Sequence, residues 1–300
     1  QWSDDADIKM VGRAKIAQKN RLRVRPMREQ LVVYTALLGG YEELNEQPVA
    51  SQSNVRFVCF TDDPQLRSDS WEIVPVEPLF SEDFSRSQRY LKMLPHLLFP
   101  EVKTSFYIDN TVVLKQPPER IAEQLHSGGF TNLYHSYRNS LIEEYLKVLR
   151  YGFDDSYRIY EQLNAMQLHS PELLDGPVYW GGLMIRDHHD EQVKATGYSW
   201  WHNVLRYSRR DQLSLPSAFH RTGLQPNSHK INNKKSEFHR WPLKVNRDRA
   251  APIYSPTKNI RPMMARIGEL EIALKDANKS LDNLYKTLFY RLKSRLFGKS

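Results

Sequence analysis

The chain has 300 residues, of which 40% are hydrophobic, and a formal net charge of +8. That apolar share supports a packed core and excludes wholesale disorder. The single cysteine, Cys59, excludes an intrachain disulfide, and no apolar run is long enough to span a bilayer. The length suits one domain with appendages, or two small domains.

Residues 1–30 read as a basic lead-in, in which Arg13, Lys15, Lys19, Arg21, Arg23, Arg25 and Arg28 follow one another with no acid between them. Such an arm suits an anionic lipid, an anionic polymer or plain solvation. Residues 31–38 form the first strong strand pattern, closed by Gly39-Gly40. Residues 55–61 form the second, with Cys59 as a packed core thiol, and Asp62-Asp63-Pro64 ends it. A short third strand covers 71–76. A helix is predicted over 85–98, and its Arg86, Arg89 and Lys92 are spaced three apart, as on one helix face. Residues 104–114 then give two apolar runs separated by Asp109-Asn110-Thr111.

A helix is expected over 119–125, a strand over 130–135 and a helix over 141–151. An apolar strand follows at 178–185 with Gly181-Gly182 inside it, which permits close backbone approach. Residues 200–207 look helical, and 221–259 read as irregular. At the end, Ile267, Leu270, Leu274, Ala277, Leu281, Leu284 and Leu288 alternate three- and four-residue steps, the seam of a short coiled coil or of a helix docked on the body. Lys286, Arg291, Lys293, Arg295 and Lys299 make this end basic, and with its aromatic residues it suits a membrane surface. Strands alternating with helices argue for an α/β fold with a mainly parallel sheet.

In such a sheet, ligands meet the carboxyl ends of the strands. Asp109 stands at one, and a buried charge there must be paired, bonded or functional. Thr35 to Tyr41 leaves the first strand with the glycines a nucleotide needs, although a plain turn explains them equally well. Asp62 could bond a ribose or base, or form a turn. Arg86, Arg89 and Lys92 could neutralise a diphosphate, or line a solvated face. Asp211-Gln212 lies at a loop-to-helix junction, where an acid can act on a sugar hydroxyl or cap a helix. Trp180, Trp200 and Trp201 suit sugar stacking or the core. No zinc, P-loop, G-x-G-x-x-G, G-x-S-x-G or nucleic-acid motif occurs.

Several segments in order carry a resemblance: Tyr34-Thr35-Ala36 with Gly39-Gly40-Tyr41, Phe60-Thr61-Asp62-Asp63, Ser85 to Lys92, Tyr107-Ile108-Asp109, His135 with Arg138 and Glu143-Glu144, Gly182 to Asp187, and Ser208 to Leu213. Over roughly residues 30–225 the chain resembles the glycosyltransferase-like domain of plant mucilage-related and bacterial polysaccharide-locus proteins. Its layout is similar to that of glycogenin-type transferases. Composition and spacing give an irregular linker over 226–262 and a basic amphipathic, coiled-coil-like helix over 263–300, and the resemblance implies a GT-A fold over 31–225. It implies transfer from a nucleoside diphosphate sugar, a UDP-sugar first, to a glycan or glycolipid acceptor in surface polysaccharide synthesis. A cytoplasmic protein, peripheral on the inner face of the membrane, is expected; the seam and basic end of the last helix predict self-association or membrane attachment, and the absence of a nucleic-acid motif predicts no nucleic-acid partner.

Carried over by position, Thr35, Asp62, Arg86, Arg89, Lys92, Asp109 and Asn110 would bind the donor. His135, Arg138, Glu144, Gly181 and Gly182 would bind the acceptor, and Asp211 with Gln212 would act in catalysis. Asp109 occupies the place of the first acid of Asp-x-Asp and would hold Mn²⁺ or Mg²⁺. Thr111 replaces the second acid, which leaves open whether the basic triplet stabilises the diphosphate instead. In an inverting reaction Asp211 would be the base, and in a retaining one it would position the sugar or stabilise charge. The alternatives are a catalytically inactive sugar- or nucleotide-binding module and an anionic-polymer binder.

Overall fold

The structure is a computed structural model that describes residues 30–241 and the helix at 263–297. The basic arm therefore lies outside the described residues, as do the segment 242–262 and the side chains of Arg291, Lys293, Arg295 and Lys299.

The strands are β1 (Leu31–Leu37), β2 (Arg56–Thr61), β3 (Glu72–Pro75), β4 (Thr104–Ile108), β5 (Val113–Leu114), β6 (Phe130–Tyr134), β7 (Tyr179–Arg186), β8 (Asn227–His229) and β9 (His239–Arg240). The helices are α1 (Phe84–Met93), α2 (Pro95–Leu98), α3 (Pro118–Leu125), α4 (Leu141–Tyr151), α5 (Ser156–His169), α6 (Glu191–Arg206), α7 (Leu215–Thr222) and α8 (Met263–Phe297). Seven strands form one sheet in the order β3-β2-β1-β4-β7-β6-β8, and β5 pairs with β9 beside it. β1 pairs in parallel with both β2 and β4, while β7 runs antiparallel to β4 and β6. The result is the expected mixed α/β, Rossmann-like architecture with a mainly parallel sheet.

β1 alternates its side chains between two cores. Val32, Tyr34 and Ala36 join Leu91 and Met93 of α1, Trp200 and Val204 of α6, and Phe219 of α7 on one face. Val33 and Leu37 join Phe106, Ile108 and α3 residues Ile121 and Leu125 on the other. This is why β1 reads as one apolar run: both of its faces are covered. A third core unites α4 and α5 with Leu213.

Several predicted boundaries shift. The helix expected over 85–98 breaks at Leu94, because Pro95 starts a new turn. α6 starts nine residues before the predicted Trp200, at Glu191, and the carboxylate of the preceding Asp190 caps the Gln192 and Val193 amides. Residues 226–241 belong to the fold rather than to a linker. β8 has no apolar alternation to reveal it and is held by polar side chains: Asn227 Nδ2 donates to Gly128 O at 2.7 Å and Ser228 Oγ to Asn132 Oδ1 at 2.6 Å. α8 meets the body at α4. Its described seam residues Leu270, Leu274, Leu281 and Leu284 stay 53%, 62%, 48% and 60% exposed, so they are not buried by folding back.

Candidate functional site

β2 and β3 lie on one side of β1 and β4 on the other, so the chain direction across the sheet reverses between β1 and β4. In open α/β sheets this switch point opens a crevice at the carboxyl ends of the strands. Gly39-Gly40 and Asp109 leave β1 and β4 there. Gly39 has φ of 84°, and a Cβ on it would come within 2.8 Å of the Phe84 ring, so both conformation and space require glycine. Its amide donates to Asp62 Oδ1 and Oδ2 at 3.0 and 3.1 Å. Asp62 thus braces the β1 exit.

Three charged side chains, Arg89, Lys92 and Asp211, converge beside Asp109. Lys92, in the last turn of α1, has a side chain only 2% exposed, and its Nζ lies 2.5 Å from Asp211 Oδ2 and 3.5 Å from Asp109 Oδ1. Arg89, one turn earlier, places Nε 3.4 Å from the same Asp211 oxygen. Burial alone would raise the Asp211 carboxyl, but Arg89, Lys92 and Arg210 outweigh it and hold the group well below the usual carboxylate range. Burial also opposes the Arg89 charge, and Asp211, then Asp109, more than compensate and keep the guanidinium charged. Tyr107 donates its hydroxyl to Asp109 Oδ1 at 2.9 Å. Burial and then the Asp109 charge keep that phenol protonated, well above its ordinary range. Asp109 is the open member of the cluster, with 35% of its side chain exposed.

Gly181 lies under this cluster. A Cβ there would sit 2.9 Å from Lys92 Nζ and 3.3 Å from Asp211 Oδ2, so the missing side chain admits the ion pair. Asp211 is fixed by the short 3-10 turn Asp211–Leu213, and its carbonyl accepts the Trp200 indole N–H at 2.8 Å. Gln212 accepts from Arg210 Nη2 at 2.7 Å, and the same Nη2 lies 3.6 Å from Glu144 Oε1. Glu144 is buried and also accepts from Arg138 Nε at 3.0 Å. The pairs Arg138–Glu144–Arg210 thereby lead from the cluster towards a cleft of about 620 Å³ lined by Tyr134, His135, Arg138, Val178, Lys230 and Asn232, among others. His135 accepts the Tyr137 amide on Nδ1 at 3.0 Å, so its neutral form carries the proton on Nε2. Burial, then Arg138 and Arg210, lower its pKa to about 4.

The structure thus brings together Arg89, Lys92, Asp109, Gly181, Asp211 and Gln212, and joins His135, Arg138 and Glu144 beside a cleft. Other expected site residues are engaged elsewhere. Thr35 is fully buried inside β1, two residues short of the strand end, and cannot meet a donor. Arg86 bonds Asp83, Val204 O and Tyr207 O. Residues three apart drift by about 60° per step on a helix, so Arg86 points about 120° from Lys92. Asn110 is buried, and its amide serves the loop after β1: Oδ1 accepts from Asn45 N at 2.8 Å and Nδ2 donates to Glu43 O at 2.8 Å. Gly182 makes room for the Trp180 ring, which a Cβ would approach to 2.3 Å. Trp180, Trp200 and Trp201 are all buried and serve the cores rather than a sugar face. Tyr107 and Arg210 were not predicted for the site. The first shares a strand face with Asp109 at two-residue spacing, and the second adjoins Asp211, so alternation and adjacency were the available signals.

The donor atoms fit a divalent metal poorly. Thr111 Oγ1 accepts the Trp241 indole N–H at 3.0 Å, so the residue replacing the second acid is turned to the β5–β9 side. Among the described residues, no group of three or more His, Cys, Asp and Glu side chains is placed to hold a metal ion.

The sheet and its switch-point crevice define a mixed α/β, Rossmann-like domain. The chain belongs to the TOD1/MUCI70 glycosyltransferase-like domain family, whose model matches residues 5–240. No curated protein matches it. Among solved structures it is similar to the apo form of WbbM, a bifunctional glycosyltransferase, at 8% identity and a TM-score of 0.38, over 69% of this chain. The chain spans 40% of that protein's chain. Among the described residues, no helix is long and apolar enough to cross a membrane.

Proposed function

We propose that the chain transfers a sugar from a nucleoside diphosphate donor, a UDP-sugar first, to a hydroxyl of a glycan or glycolipid acceptor during surface polysaccharide synthesis. One observation carries this reading: the cluster of the largely buried Arg89, Lys92 and Asp211 with the partly exposed Asp109 at the switch-point end of β4. In the proposed reaction the anomeric C–O bond to the diphosphate breaks and its electron pair goes to the leaving oxygen. The acceptor hydroxyl oxygen forms the new bond, and its proton passes to the departing diphosphate oxygen. Arg89 and Lys92 face the charge that develops on the leaving group, in a site with little water to screen it. Asp109, the exposed carboxylate, takes a donor hydroxyl. The cleft beside His135 and Arg138 receives the acceptor.

Asp211 is suited to hold the two cations and the sugar, and poorly suited to be a base. A carboxylate stabilised so far below the operating pH has little tendency to accept a proton. The reading is tested by offering a panel of nucleotide sugars and measuring released nucleotide. Wild-type protein is expected to release it and Asp109→Asn to lose about two orders of magnitude in rate. Full activity in that variant removes Asp109 from the site. Donor binding without any release by wild-type protein would favour an inactive binding module instead.

For α8 we propose pairing with a second copy of the chain. The support is its exposed seam of Leu270, Leu274, Ala277, Leu281 and Leu284 at coiled-coil spacing.

A further inference from the structure

A divalent cation that bridges a carboxylate to a diphosphate needs hard oxygen ligands with free lone pairs. It also needs a place away from fixed positive charge. The segment after β4 offers few such ligands and no such place. Asp109 Oδ1 already accepts the Tyr107 hydroxyl at 2.9 Å. The same oxygen has the Lys92 ammonium 3.5 Å away. The second carboxylate of the cluster, Asp211, accepts from Lys92 at 2.5 Å and faces Arg89 at 3.4 Å. Asn110 and Thr111, the two residues that follow Asp109, are bonded to Asn45 and Trp241 and turned to the protein. A dication beside Asp109 would therefore stand against a lysine and an arginine that the fold cannot move aside. Lys92 is buried over the Tyr107 ring, 4.9 Å from its centroid, and Arg89 is anchored by Asp211.

We propose that the site binds its nucleoside diphosphate without a divalent metal, with Arg89 and Lys92 supplying the positive charge. This inference rests on the donor-site reading above. The ammonium has three N–H donors, and Asp211 and Asp109 face two of them, which leaves one for a phosphate oxygen. Arg89 keeps 13% of its side chain exposed next to the open Asp109, so the charged wall is reachable from solvent. A guanidinium suits two phosphate oxygens at once, and its charge is permanent.

The test uses the full chain with UDP and GDP as probes, each titrated by calorimetry and followed by thermal shift, once in EDTA and once in Mn²⁺. At least one of the two is expected to bind with the same affinity in both conditions. Lys92→Met and Arg89→Gln are each expected to weaken that binding by about tenfold or more. Because Lys92→Met leaves Asp211 with one cation fewer and could impair folding, a second measurement uses wild-type protein alone. The electron paramagnetic resonance signal of free Mn²⁺ in a solution of Mn²⁺ and UDP is expected to be no lower with the protein than without it. Nucleotide binding that appears only with Mn²⁺, or a further loss of the free Mn²⁺ signal when protein is added to Mn²⁺ and UDP, overturns metal independence and leaves the donor-site reading standing. Absence of UDP and GDP binding in both conditions overturns the donor-site reading, and this inference with it.

Discussion

Asp211→Asn tests the centre of the cluster, because it keeps the shape of the side chain and removes its charge. In the wild-type chain Asp211 Oδ2 lies 2.5 Å from Lys92 Nζ and 3.4 Å from Arg89 Nε, all three side chains being largely buried. Removing one partner of a buried ion pair typically costs about 3–5 kcal/mol, because the other charge stays desolvated. Asp109, 3.5 Å from Lys92, remains as a second anion and puts the expectation at the lower end, about 3 kcal/mol. For a domain of this size that corresponds to a fall in Tm on the order of 10 °C. The assay is urea unfolding of wild type, Asp211→Asn, Lys92→Met and the double variant. The double variant is expected to recover part of the loss, as coupled neighbours do. The folded Asp211 titrates well below the ordinary range, so its stabilisation is complete above the unfolded pKa of about 3.9 and is lost as pH falls towards the folded value. The gap between wild type and Asp211→Asn should hold from neutral pH to about pH 5 and narrow below it. A loss under about 1 kcal/mol, or additive single variants, would refute the reasoning.

Thr35→Val should leave activity unchanged and raise stability by up to about 1 kcal/mol, since Thr35 Oγ1 is buried without a hydrogen-bond partner. A raised donor KM would return Thr35 to the site. His135 has a folded pKa near 4, below its unfolded value of about 6.5, so the unfolded chain binds the proton more readily. Stability should therefore fall as pH drops through that window, and His135→Gln should flatten the fall; an unchanged urea midpoint profile would show that His135 does not titrate as described. Removing residues 263–300 should lower the mass seen by light scattering. If the mass holds while liposome binding disappears, α8 serves a membrane surface, and if neither changes, it only packs on its own domain.

The sheet was legible because β1, β2 and β4 are buried on both faces, and burial leaves continuous apolar runs in the sequence. α5 and α7 escaped notice for opposite reasons. α5 exposes Tyr157, Tyr160 and Leu168, so its apolar residues do not mark one inner face. α7 is short, and a proline at its start disguises a helix-initiating position as a break. In the site, Asp109 and Asp211 could be read from their places at element ends. The direction of each basic side chain could not. Arg86, Arg89 and Lys92 share a spacing, but which of them meets Asp211 depends on α1 packing against α6, where Arg86 finds the carbonyls of Val204 and Tyr207. Asn110 posed the same difficulty. Its position beside Asp109 suggested a ligand, and only the path of the loop through Glu42 to Asn45 makes it a structural brace.

The cluster is held from below as well as across. The Tyr34 hydroxyl donates to the Lys92 carbonyl at 2.9 Å and accepts from Arg186 Nη2 at 2.6 Å. Tyr34 stands at the middle of β1 and packs edge-on to Tyr107, the residue that bonds Asp109. The backbone of Lys92 and the carboxylate of Asp109 are therefore positioned by two tyrosines in contact, one on each strand of the switch point. Burial raises the Tyr34 hydroxyl to about 12 despite Arg186, so the donor proton to Lys92 is retained at physiological pH. An ammonium fixed at its backbone by Tyr34, at its head by Asp211 and against the Tyr107 ring has little freedom left to lose when an anion arrives. That preorganisation is what a protein cation needs in order to act where a metal ion otherwise would, because reorganisation during the reaction is then small.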